Sequence, residues 1–465
     1  MIKNIHLIRK SLLASLFFSL SLTAASAQEA AQVHTPATPS TSTALPSLPA
    51  KTDADPIANH LNLPTDIKVA LPPPADLWER MRRGFAMPNL DTDLAANRTD
   101  WYAKQPDYMQ RMASRGSQYL YYIVGELEKR NMPTELALLP FVESAFNPQA
   151  VSSAKAAGMW QFMPLTGKAF ALKQNVWQDD RRGVVESTRA ALDYLQKLYG
   201  MFGNWHLALA AYNWGEGSVQ RAINKNNAQG LAVGYTDLKM PKETEYYVPK
   251  FQAIKNIVAT PAQYGIALPA VQNVPYFAAI IKERDIDVDL AAKFAGLSVP
   301  EFRALNPAFK RPVILGANKP EILLPADKIE LFKTALEAHT GPLSSYAAVT
   351  LGKAEKPAAL AARLGVSEAA LRELNDIPPR MVIKPGSTLV VPKGRNATDE
   401  NIAANMAESG VLDLQTEGGK AVSTNAKGRK VVVRKGSKNG KNVKAVARNT
   451  GKKKIAPARV VIKKK

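Results

Sequence analysis

Past residue 72 the chain alternates apolar and polar side chains in the rhythm of helices. Leu77-Trp78-Glu79-Arg80-Met81 begins the pattern, and Tyr119-Leu120-Tyr121-Tyr122-Ile123-Val124-Gly125-Glu126-Leu127 carries it on. Ala190, Ala191, Tyr194, Leu195 and Leu198 fall on one face at about 3.6-residue spacing, with Ser187 placed to cap their helix. Pro133 suits the first turn of a helix. The run from Glu243 to Val258 is helical in pattern except at Pro249, which predicts a kink or the first turn after a break. Together these segments predict a mostly α domain over residues 73–262.

Beyond Thr260 the pattern changes and a repeat appears. Leu290-Ala291-Ala292-Lys293-Phe294-Ala295-Gly296-Leu297-Ser298, ending at Leu305-Asn306, parallels Leu360-Ala361-Ala362-Arg363-Leu364-Gly365-Val366-Ser367, ending at Leu374-Asn375. Each copy closes on a strand-like run stopped by proline, Ile322-Leu323-Leu324-Pro325 and Leu389-Val390-Val391-Pro392. Two small α+β modules of strand, helix, helix, strand (βααβ) are therefore expected, at 275–327 and 345–393.

The ends read differently. Lys3, Arg9 and Lys10 precede an apolar run from Leu12 to Leu22, and Ala25-Ser26-Ala27 offers small residues for cleavage, so residues 1–27 read as a secretory signal peptide. The apolar run is about half of the ~20 residues that a membrane-spanning helix needs. Residues 28–72, rich in Pro, Ser, Thr and Ala, read as a disordered tether, and residues 394–465 as a disordered tail, basic from 418.

A chain of 465 residues has room for two or three domains. It contains no cysteine, which excludes disulfides, a thiol nucleophile and thiolate metal ligation, and its five histidines are scattered without ligand spacing. His206 reads as a packing or capping residue; no metal and no cofactor are expected. The formal charge of +21 belongs to the ends: 3 basic residues in 1–27 and 17 from 418 onward, with no acidic residue in either, leave residues 28–417 at +1. The tail lacks aromatics for base stacking. In an exported protein it suits anionic envelope polymers or lipid headgroups rather than a specific nucleic acid, or it is a solvated tail with no specific partner.

Candidate chemistry centres on Leu138-Leu139-Pro140-Phe141-Val142-Glu143-Ser144-Ala145-Phe146-Asn147-Pro148, which sets one carboxylate among apolar neighbours. Desolvation disfavours the ionised form, so Glu143 can keep a proton near neutral pH and deliver it to a leaving oxygen. The alternative is a solvated Glu closing an amphipathic helix. Glycosidases commonly pair two carboxyls, and no partner emerges. Asp179 and Asp180 beside Arg181 and Arg182 read as a solvated, paired turn, Glu216 as part of a Gly-flanked helix break, and Glu186 and Asp193 as facing water.

Three further motifs follow: Gly158-Met159-Trp160-Gln161-Phe162-Met163-Pro164, Ala210-Ala211-Tyr212-Asn213-Trp214-Gly215-Glu216-Gly217, and Glu243-Thr244-Glu245-Tyr246-Tyr247-Val248-Pro249-Lys250. With the Glu143-Ser144 pair, this ordered set resembles the lysozyme-like domain of soluble-type lytic transglycosylases, strongly over about 75–260 and more loosely to 393. The resemblance implies a lysozyme-like catalytic domain acting on peptidoglycan glycan strands. In that family one Glu protonates the bond from N-acetylmuramic acid to N-acetylglucosamine. It then takes the proton of the muramic C6 hydroxyl, which closes a 1,6-anhydro ring. Carried over by position, Glu143 is catalytic, and Ser144, Gln161, Met163, Tyr212, Asn213 and Tyr247 are substrate-binding, with Tyr247 approaching Glu143. Packing alone remains the other reading for Tyr212 and Tyr247, and a local cap for Ser144. A muramidase using water and a catalytically silent wall-binding scaffold remain alternatives. The repeats resemble LysM modules, although the usual Gly-Asp-Thr turn is replaced by Arg284-Asp285-Ile286-Asp287 and Leu351-Gly352-Lys353-Ala354. An exported, periplasmic protein is implied, with no lipid anchor expected because many members attach theirs to a cysteine.

Overall fold

The computed structural model describes residues 74–394, 400–417, 422–424 and 430–432. The signal peptide, the tether and most of the basic tail expected from the sequence lie outside the described residues.

Nine helices make the first part: α1 (Leu77–Arg83), α2 (Asp93–Ala103), α3 (Pro106–Lys129), α4 (Leu139–Ser144), α5 (Pro164–Ala169), α6 (Val184–Phe202), α7 (Trp205–Trp214), α8 (Glu216–Asn227) and α9 (Lys242–Ala259). The long α3 starts with proline at its first position and buries Met109, Met112, Ala113, Gly116, Leu120, Ile123, Val124 and Leu127, a stripe at three- and four-residue steps. A 3-10 turn, Thr134–Leu138, leads into α4. It carries Glu135, which is fully buried and accepts from the backbone N–H of Met87 at 2.7 Å and faces Lys255 Nζ at 3.3 Å. This paired buried charge ties α9 to the loop after α1.

Two local expectations are corrected. Gly183, not Ser187, is the N-cap of α6, and the Ser187 hydroxyl bonds back to the Gly183 carbonyl within the helix. Pro249 does not break α9, which runs unbroken through it. A proline cannot donate to the carbonyl four residues earlier. Here that oxygen, on Glu245, lies 2.9 Å from the Tyr235 hydroxyl, which also lies 3.1 Å from the Thr244 carbonyl.

The first module pairs β1 (Phe277–Ile281) antiparallel with β4 (Glu321–Pro325), Phe277 opposite Pro325, and β2 (Ile286–Asp287) with β3 (Val313–Ile314). Helices α10 (Val288–Phe294) and α11 (Val299–Leu305) pack on the sheet, and α12 (Ile329–Ala338) closes the core through Phe332. The second pairs β5 (Tyr346–Thr350) with β7 (Thr388–Pro392) around α13 (Pro357–Leu364) and α14 (Glu368–Asn375). The asparagine ending each repeat has one job. Asn306 exchanges hydrogen bonds of 2.7 and 2.9 Å with the Leu323 backbone, and Asn375 bonds of 2.8 and 2.7 Å with Val390, clamping the last strand from the end of the second helix.

A strap follows the second module. In it α15 (Ala404–Ser409) meets the Trp177 indole, which donates to the Met406 carbonyl at 2.8 Å, and β8 (Leu414–Thr416) pairs with β6 (Met381–Ile383). Arg311 of the first module donates to the carbonyls of Val176 at 2.8 Å and Leu374 at 3.0 Å, joining all three parts. Within the basic tail, β9 (Val422–Thr424) and β10 (Lys430–Val432) pair antiparallel.

This docking overturns two surface expectations. Asp180 and Arg181 are buried, at 6% and 8% exposure. The first module covers their turn, where Asp179 N–H donates to the Ala308 carbonyl at 2.9 Å, and Arg181 Nη1 donates to the carbonyls of Lys155 at 2.7 Å and Phe162 at 3.1 Å. Glu186 lies half-buried in a cavity shared with Glu321 and Phe309 of the first module, and burial pushes its carboxyl up to about 7. Asp193 stays part-exposed beside Arg189.

Candidate active site

Glu143 is the next-to-last residue of α4, a six-residue helix stopped by Ala145 and Phe146, both left-handed at φ 51° and 56°. Leu139 and Phe141 point the other face of this turn into the core. The carboxylate is thereby left half-buried against α9, where its Oε1 accepts a hydrogen bond from the Tyr247 hydroxyl. Burial pushes the Glu143 carboxyl up to about 7; the Tyr247 bond and the Lys250 charge oppose this, and the Glu243 charge adds to it. Burial also holds the Tyr247 and Tyr212 hydroxyls well above the ordinary tyrosine range, so both remain donors.

The loop 158–163 is fixed from three sides. The Ser144 hydroxyl donates to the Met159 carbonyl at 2.9 Å, the Tyr212 hydroxyl to the Trp160 carbonyl at 2.9 Å, and Arg181 to Phe162 as described. Trp160 itself is fully buried, its indole N–H donating to Thr188 Oγ1 at 3.1 Å. Gly158 sits at φ +84°, and a Cβ there would collide with the Arg181 carbonyl oxygen. Gln161, also at positive φ, turns its amide nitrogen to the Gly158 carbonyl at 2.7 Å. Met163 stands 45% exposed at the start of α5.

Of the residues singled out from sequence, the structure brings Glu143, Tyr247 and Tyr212 together and places Ser144 one step behind. Asn213, at the end of α7, accepts from the Thr244 hydroxyl at 2.8 Å and so joins α7 to α9. Thr244, Glu243 and Lys250 join the site as well, and although all three lie inside the motif 243–250, nothing in that local pattern marks them as such. Two further supports stand outside the motifs: Arg181, which bonds carbonyls 19 and 26 residues before it, and Tyr235, in the segment before α9. Glu216, expected only to shape the helix break, also accepts from the Tyr194 hydroxyl at 2.7 Å and pairs with Lys197 at 2.9 Å. Among the described residues no group of three His, Asp or Glu side chains is placed to hold a metal.

Comparison with known proteins places these features. The transglycosylase SLT domain family matches residues 121–232, the LysM-like domain of lytic transglycosylase MltD residues 276–341, and the LysM domain residues 358–392. The membrane-bound lytic murein transglycosylase D of Escherichia coli K12 is 35% identical over 346 residues, 71% of this chain and 76% of that protein. The soluble lytic murein transglycosylase of Salmonella typhimurium is 32% identical over 127 residues, 26% of this chain and 19% of that one. The crystal structure of the 70 kDa soluble lytic transglycosylase of Escherichia coli shares 28% identity over 29% of this chain and 24% of that one, with a TM-score of 0.25. With its helical SLT domain followed by two LysM-type modules, this chain belongs to the lytic murein transglycosylase family.

Proposed function

We propose that this enzyme cleaves the β-1,4 bond from N-acetylmuramic acid to N-acetylglucosamine in peptidoglycan and leaves 1,6-anhydromuramic ends, in cell-wall turnover. The observation that carries the reading is one carboxyl, raised to about 7, with a tyrosine donor against it. At neutral pH a large share of Glu143 is protonated and can give its proton to the glycosidic oxygen as that bond breaks. The carboxylate left behind is stabilised by the Tyr247 hydroxyl. It then takes the proton of the muramic C6 hydroxyl, whose oxygen bonds to C1. The proton given in the first step is recovered in the second, and no water is consumed. Attack from within the same sugar carries a high effective concentration, which favours it over water.

In this reading Ser144 and Tyr212 act by fixing the loop 158–163. The exposed Met163 offers the substrate an apolar surface, Gln161 hydrogen-bonds the sugar through its amide, and Asn213 orients the N-acetyl group. The LysM-type modules bring peptidoglycan binding, consistent with a protein of the cell envelope. Residence in the periplasm, and contact of the basic tail with anionic envelope polymers or lipid headgroups, belong to the proposal. Among the described residues no helix is long and apolar enough to cross a membrane.

Mass spectrometry of digested sacculi tests the chemistry. Anhydro products lighter than hydrolytic ones by one water, and unchanged by borohydride, are expected. Mainly reducible muramic ends, carrying oxygen from labelled water at C1, would place the enzyme with muramidases.

A further inference from the structure

A cavity of about 320 Å³ lies between the outer face of α3 and the segment that enters β1, away from the loop 158–163 and Glu143. Its walls are aromatic: Tyr121 and Tyr122 from the helix, Tyr276 and Phe277 from the segment. Phe277 packs on Tyr122 with ring centres 5.6 Å apart, which fixes that corner, and Tyr276 leaves 42% of its surface open. Gln118 adds an amide at the edge.

The charges around it are paired with one another. Arg80 donates to Glu128 at 3.0 Å and to Asn273 at 2.9 Å, and its guanidinium lies 4.9 Å over the Tyr121 ring. Lys129 bonds Glu126 at 2.8 Å, so the two cations and two carboxylates that line the cavity cancel. A cavity so neutralised has no net charge to offer an ionic ligand. Ring faces and a few polar groups instead suit an uncharged, amphipathic one.

Gly125 supplies a second, independent observation. It stands inside a 24-residue helix, where glycine costs about 1 kcal/mol against alanine. Packing does not demand it, since a Cβ there would meet only the Arg80 guanidinium, at an ordinary 3.6 Å. What the missing side chain does is leave the cavity open between Tyr121, Tyr122 and Lys129.

We infer that this cavity is a second saccharide site, taking an uncharged N-acetylhexosamine unit of the glycan strand apart from the cleavage centre. The inference rests on the reading of the chain as a glycan-cleaving enzyme. The site would hold the polymer while Glu143 works elsewhere on it.

The test measures retention of the full chain on purified sacculi in a Glu143→Gln background, so that bound glycan is not cut. Gly125→Leu fills the cavity from a helix that leucine favours, and Tyr276→Ala removes the open ring without touching the core. Each is expected to weaken binding about 3- to 10-fold, Tyr276→Ala by the loss of one aromatic contact and Gly125→Leu by excluding the sugar from the rings. In the otherwise wild-type enzyme, Tyr276→Ala should leave turnover of a short soluble muropeptide unchanged. Equal retention by both variants and the parent would overturn the inference. So would a defect that disappears on glycan stripped of stem peptides by an amidase, because the ligand would then be peptide. Because retention is read without turnover, hydrolytic products in the mass-spectrometric test would refute the proposed reaction and leave this measurement intact.

Discussion

Glu143→Gln separates the chemistry of the carboxyl from its shape. The amide keeps an oxygen to accept from Tyr247 and loses the proton that titrates. Cleavage of sacculi should therefore fall by about 10²–10⁴-fold, the usual contribution of a general acid–base, with folding intact. Stability should change with pH in a defined direction. The Glu143 carboxyl is raised from 4.5 to about 7, so the folded state holds this proton more tightly than the unfolded state. The stability this contributes is fully present below pH 4.5 and is lost as pH rises through about 7. At about 1.36 kcal/mol per pH unit the wild type gives up about 3 kcal/mol across that window, or about 2 after allowance for partial solvent contact. Glutamine has no such loss. Denaturant unfolding of both proteins at several pH values from about 4.5 to 8 should show the variant gaining on the wild type by about 2–3 kcal/mol, and levelling off above pH 7. A difference that stays constant over the whole range would refute the buried, proton-holding state of Glu143, and a fully active variant would refute its role.

Tyr247→Phe removes a hydrogen bond that lowers the Glu143 pKa, so the limb of the pH–activity profile that falls toward alkaline pH should move to higher pH while peak activity drops; an unmoved limb would count against the contact. Gly158→Ala forces a Cβ into the Arg181 carbonyl at a left-handed φ, and thermal unfolding should report a loss of about 2 kcal/mol or more together with impaired cleavage. Asn375→Ala strips two buried hydrogen bonds from the Val390 backbone, so hydrogen exchange in β7 should speed up while the helices around Glu143 stay protected. Removal of residues 418–465 should abolish the part of sacculus binding that vanishes at 1 M salt, where screening shortens to ~3 Å; retention with unchanged salt dependence would leave the tail without that role.

What the sequence determined by itself was everything written in short-range pattern. The apolar setting of Glu143 is spelled by its immediate neighbours. The helices of the first part declare themselves by periodicity, and the repeats by a shared ending in Leu-Asn, whose asparagine clamps a strand only 15 to 17 residues away. Tyr247 was identifiable only through the resemblance of its motif to the transglycosylase family's, since its contact with Glu143 spans 104 residues. Tertiary structure decided the rest, because burial of a charged turn depends on what docks over it. Asp180, Arg181 and Glu186 have the composition of a wet surface, yet Asp180 and Arg181 are buried where the first module docks, and burial pushes the Glu186 carboxyl up to about 7. Pro249 reads locally as a kink or a break, but the helix continues through it, and a hydroxyl on Tyr235, outside the helix, lies against the carbonyl that proline leaves without its donor. Ser144 and Tyr212 could as well have faced substrate. Only the fold shows them turned onto the backbone of the loop 158–163, because the direction of a side chain is set by the neighbours the chain brings to it, and those neighbours leave no periodic mark in the sequence.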